Sequence, residues 1–72
     1  MINKRLLCAK IIEHGDTQKS LASDMGLSGS WFNKKLHGKK ADFKRSEIEF
    51  IARRYNFSPE VLNRIFFADE VA

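Results

Sequence analysis

Ser30, Asn33, Lys34 and His37 place a hydroxyl, an amide, an ammonium and an imidazole within eight residues. On a helix with Ser30 at 0°, Asn33 falls at about 300°, Lys34 at about 40° and His37 at about 340°, so the four share one face. Groups of these kinds match the donor and acceptor edges of bases, and a helix fits the major groove of B-DNA. Phe32 and Leu36 fall near ~200° and ~240°, where they can anchor the helix to a core. Trp31 and Lys35 lie on the flank between. Trp31 there either packs on the core edge or lies against a DNA backbone or a thymine methyl. Ser28 is placed to cap the helix, and Gly29 at its start lets another backbone come close. Ser28, Gly29, Ser30, Asn33 and Lys34 are thus candidates for reading bases. A simply solvated helix face is the plainer reading of the same strip.

Directly downstream, residues 39–45 carry Lys39, Lys40, Lys44 and Arg45. Cations beside a recognition helix neutralise phosphates and position a protein without reading sequence. Lys39, Lys40 and Lys44 are candidates for this work, with Trp31, Lys35 and His37 from the helix itself. A flexible solvated loop is the alternative. Phe43, alone in this polar stretch, is expected to anchor it to the core.

Positioning these residues requires helices, and the spacing predicts five, at about 3–14, 17–25, 28–36, 45–55 and 58–67. Asn3 can cap the first, Gly15 can end it, and Leu7, Cys8, Ile11 and Ile12 share its apolar arc, with Leu6 outside. Cys8 reads as a small core residue and His14 as a partner for the helix's negative end. Thr17 opens the second helix, Leu21, Ala22 and Met25 face inward, and Gly26 is expected to turn left-handed before Leu27 plugs the turn. Two short helices joined in this way describe a helix-turn-helix. Ile48, Ile51, Ala52 and Tyr55 form the stripe of the fourth helix, with a capping-box spacing at Ser46 and Glu49 and a left-handed terminator at Asn56. Ser58, Pro59 and Glu60 open the fifth, whose arc is Val61, Leu62, Ile65 and Phe66. The tail 68–72 is expected to fray. The fold class is therefore all-α, one domain over 1–72.

Size and charge narrow the function. With 72 residues of which 43% are hydrophobic, the chain can bury one thin core. It has no apolar run of about 18 residues and no signal-peptide pattern, and Cys8 is its single cysteine, which points to a reducing cytoplasm. A net charge of +4 and a pI near 9.5 favour an anionic partner. Neither a phosphate-loop pattern nor a metal-ligand spacing is present, and the two histidines fall at helix ends. An enzyme, a metal, a cofactor, a small-molecule ligand and a membrane partner are accordingly not expected.

The stretch TQKSLASDMGLSGSWFNKKLHG resembles the phage repressor and Cro-like helix-turn-helix family, with Gln18, Ala22, Gly26, Leu27 and Phe32 at its motif positions. FKRSEIEFIARRYNFSPEVL is similar to that family's fourth helix and its opening of the fifth. Small Cro-type regulators of temperate phages in Gram-positive bacteria look nearest. The resemblance implies a compact five-helix bundle of the lambda-repressor-like type, in which helices 2 and 3 form the motif. It implies a transcriptional repressor of a lysogeny switch that binds double-stranded operator DNA as a homodimer. Gln18 would contact a phosphate or assist a recognition residue, while Gly29, Ser30, Asn33 and Lys34 occupy DNA-contacting positions. The chain departs from the pattern at Lys35, where the family has an apolar residue and Leu36 here offers the inward contact. Phe50 and Phe67, outside their helices' main arcs, are candidates for the dimer face or else complete the core. A helix-turn-helix used for protein interaction, as in an antitoxin or anti-repressor, is the alternative function.

Overall fold

A computed structural model describes residues 2–38 and 41–67. They form α1 (Lys4–Glu13), α2 (Gln18–Asp24), α3 (Gly29–His37), α4 (Arg45–Tyr55) and α5 (Pro59–Phe66), with no strand among the described residues. None of these helices is long and apolar enough to cross a membrane.

Local chemistry sets each boundary. The Asn3 side chain accepts from the Leu6 N–H at 3.1 Å, and the Asn3 N–H donates to the Ile65 carbonyl at 2.7 Å, tying the start of α1 to α5. Thr17 and Ser20 cap α2 reciprocally, each hydroxyl accepting the other residue's N–H at 3.0 Å. Ser28 caps α3 through the Trp31 N–H, and Ser58 caps α5 through that of Val61. At the opening of α4 the expected pair is displaced. The Glu47 carboxylate accepts from the Lys44 N–H at 2.8 Å, so the helix starts two residues before the Ser46–Glu49 spacing suggests. Three helices end alike. After α1, α2 and α4 the residues Gly15, Gly26 and Asn56 take positive φ, and the next N–H reaches back to the carbonyls of Ile11, Ala22 and Ala52.

The core joins all five helices: Leu7 and Ile11, Leu21 and Ala22, Phe32 and Leu36, Ile51 and Tyr55, Ile65 and Phe66. Phe43 enters it from the loop between α3 and α4, edge-on to Phe32 and Phe66 at 5.6 and 5.8 Å between centroids. The connection following α3 is thereby anchored at Phe43. Ile48, Ala52, Val61, Leu62, Met25, Leu27 and Cys8 are half-buried around this centre. Leu6, outside the main arc, also packs against it.

Ile12 departs from expectation, being 73% exposed. It is one residue, about 100° of helix, beyond Ile11. With α5 and α2 packed on the Leu7–Ile11 line, it falls on the open side, lining a shallow cleft with Cys8 and Gln18. The tail 68–72 lies outside the described residues.

Candidate nucleic-acid interface

Helices α2 and α3 pack together through a four-residue turn, residues 25–28. Gly26 carries that turn at φ +76°, and the Leu27 N–H closes it on the Ala22 carbonyl at 2.9 Å. The turn fixes where α3 begins, and Phe32 and Leu36, both buried, fix which way it is rotated. Ser28, Gly29, Ser30, Asn33, Lys34 and His37 are then all exposed. The side chains of Ser30 and Asn33 form no hydrogen bond with the described residues, which leaves their donors and acceptors open to a ligand. A Cβ built on Gly29 would meet open space, so packing does not demand glycine there.

Lys35 is corrected by the structure. Expected at the DNA backbone, it is 3% exposed and points inward. Its Nζ donates to Glu47 Oε1 at 2.9 Å, to Glu47 Oε2 at 3.2 Å and to the Asp42 carbonyl at 3.3 Å. The lysine stem covers apolar surface while its ammonium finds acceptors at the inner end. Burial works against ionisation of Glu47, but the Lys44 N–H and the Lys35 ammonium outweigh it and hold the carboxyl below its ordinary value. Lys35 therefore packs inward beside Leu36 and locks α3 to the start of α4. It is not a phosphate contact.

The other candidates divide. Trp31 stays 44% exposed on the flank of α3, with the Lys34 and Lys35 ammonium groups 5.4 and 5.9 Å from its ring centre. Gln18 is exposed at the start of α2, its amide donating to Cys8 Sγ at 3.3 Å. Lys44 is exposed where α4 begins. Lys39 and Lys40 lie outside the described residues. Phe50 and Phe67 are 38% and 59% exposed but line different clefts. Phe67 joins Arg45, Ile48, Glu49 and Leu62 around a 570 Å³ cleft, whereas Phe50 meets Asp24, Met25, Ser46 and Glu47. The α4 residues of the two clefts are centred about 150° apart around the helix.

Two features eluded the sequence. Lys4 Nζ lies 3.4 Å from His37 Nδ1, so the start of α1 adds a cation beside the end of α3. Residues 33 apart in the chain carry no local signal of this. The second is a polar clamp behind α2. Arg54 donates to both carboxylate oxygens of Asp16 at 2.9 and 3.2 Å and reaches Asp24 Oδ2 at 2.7 Å, while the Tyr55 hydroxyl donates to Asp16 at 2.7 Å. Hydrogen bonds from Arg54 and then Tyr55 hold the Asp16 carboxyl at about 2, and those of Asp16 and Asp24 push the Arg54 guanidinium up. Burial, followed by the Asp16 bond, pushes Tyr55 up to about 12. His14 stacks on the Tyr55 ring at 4.8 Å. The recurrence of Asp16, Ser20 and Asp24 every four residues marks this edge of α2, but nothing in it names Arg54 as the partner.

Among the described residues no group of three His, Cys, Asp or Glu side chains is placed to hold a metal. Comparisons with protein-family models, curated proteins and solved structures return no match.

Proposed function

We propose that the chain is a sequence-specific DNA-binding repressor, in which α2 and α3 act as a helix-turn-helix and α3 enters the major groove. The observation that carries this reading is the outer face of α3. Ser30, Asn33 and Lys34 project together from a helix whose other side is fixed by Phe32, Leu36 and the Lys35–Glu47 pair. A rigid helix with unengaged polar groups suits base-edge readout. Lys44, and Lys4 beside His37, supply charge for the phosphates. The resemblance to the phage repressor and Cro-like family agrees with this and suggests a Cro-type operator-binding protein of a host cytoplasm.

The reading includes a homodimer on DNA, since one helix reads only a few base pairs and a second raises affinity through effective concentration. The cleft around Phe67 is the apolar surface we assign to that contact. A protein-interaction role, as in an antitoxin or anti-repressor, is the second reading, supported by the same cleft.

Selection of duplexes from a random pool, followed by titration at two or more salt concentrations, tests the assignment. A preferred sequence bound by two chains is expected. Lys34→Ala should weaken it about tenfold or more and flatten the preference at one position. Lys44→Ala should weaken all duplexes alike and reduce the salt slope by about one. A chain that binds selected and random duplexes equally, with Lys34→Ala without effect, defeats the repressor reading.

A further inference from the structure

The structure assigns Trp31 as a specificity-determining residue that reads the C5-methyl group of a thymine. This rests on the proposed placement of α3 in the major groove. Among the apolar side chains of α3, Phe32 and Leu36 are buried, and only Trp31 remains exposed. The thymine methyl is the apolar group that base pairs present in the major groove. Burying Trp31 against it removes two apolar surfaces from water at once.

Two lysines also stand over the ring. Lys35 is fixed beneath the flank by Glu47 and Asp42, and its ammonium stands 5.9 Å from the Trp31 centroid. Lys34, one turn along the same helix, lies 5.4 Å from it from the exposed side. Cations attract the negative face of an indole, and the buried one cannot move away. Lys35 thus gives Trp31 a fixed neighbour, while the exposed Lys34 covers it with a free charge. When Lys34 turns to a base or phosphate, the indole face it covered becomes available to the neighbouring methyl.

Replacing each thymine of the selected duplex by deoxyuridine in turn removes single methyl groups and leaves every hydrogen bond intact. With the wild-type chain, one position per half-site is expected to lose about fourfold in affinity, the value of one buried methyl-sized group. In Trp31→Ala the same replacement should cost nothing, and Trp31→Phe should keep part of the effect. Trp31 is not part of the core, and unchanged helical circular dichroism of both variants confirms that they compare folded chains. If no thymine position matters to the wild type while the preferred sequence still binds best, the methyl contact is overturned and the repressor reading stands. Equal losses with and without Trp31 overturn it likewise, as does a uniform weakening of all duplexes by Trp31→Ala, which places the ring on the backbone. Absence of any preferred duplex removes both readings.

Discussion

Lys35 shows how one residue changes its meaning on folding. Its charge and its place on a basic helix suggest a phosphate ligand, yet its ammonium is held by Glu47 and the Asp42 carbonyl at 3% exposure. Breaking such a pair leaves a buried ammonium site empty and the half-buried Glu47 carboxylate without its cation. Lys35→Ala is expected to destabilise the fold by about 3 kcal/mol in urea denaturation. Lys35→Met with Glu47→Gln should recover most of that, because the stem is restored and the charge removed. In neither variant should the slope of DNA affinity against salt change. A slope reduced by about one in Lys35→Met with Glu47→Gln would return Lys35 to the phosphates.

At the scale of elements, caps and turns do most of the placing. Asn3, Thr17, Ser28 and Ser58 all cap where their side-chain chemistry indicates, because a cap needs only the next three residues. The turn between α2 and α3 rests on Gly26 at φ +76°, where a Cβ would meet no neighbour. The cost of Gly26→Ala is therefore conformational alone, about 1–2 kcal/mol, and thermal melting should report it. Gly26→Asn, which tolerates the left-handed region better, should cost less. An unchanged melting temperature in Gly26→Ala would mean that the turn relaxes without holding α3. The amphipathic stripes of α2, α3 and α5 were legible for a similar reason: helical periodicity is local. Ile12 was not, since which neighbour covers a given arc is a property of the neighbours.

Across the whole molecule, the clamp of Asp16, Asp24, Arg54 and Tyr55 joins both ends of α2 to α4. It holds α2 from behind while α3 is held by Lys35 and Glu47, so the two helices are fixed from different sides. The clamp has a pH signature. The Asp16 carboxyl sits at about 2, below its unfolded value, so the folded chain binds that proton more weakly than the unfolded one. The stabilisation is complete above the unfolded value and disappears as pH falls from about 4 through about 2. Urea midpoints measured down this range should fall for the wild type and fall less steeply for Asp16→Asn, which is weaker at neutral pH. Parallel acid limbs in the two proteins would exclude Asp16 as a contributor.

The sequence by itself determined the five helices, the caps of α1, α2, α3 and α5, the stops at Gly15, Gly26 and Asn56, the role of Phe43 as an anchor and the polar strip of Ser30, Asn33 and Lys34. Each depends on groups within a few residues of one another or on the period of a single helix. Only the tertiary structure decided that Lys35 turns inward, that Ile12 stays outside, that Phe50 and Phe67 border separate clefts, and that Lys4 stands beside His37. It also supplied Arg54 as the partner of Asp16 and Asp24. These outcomes depend on which surfaces meet across 12 to 38 residues of chain, and a charge or an apolar group is compatible with several such meetings until packing selects one.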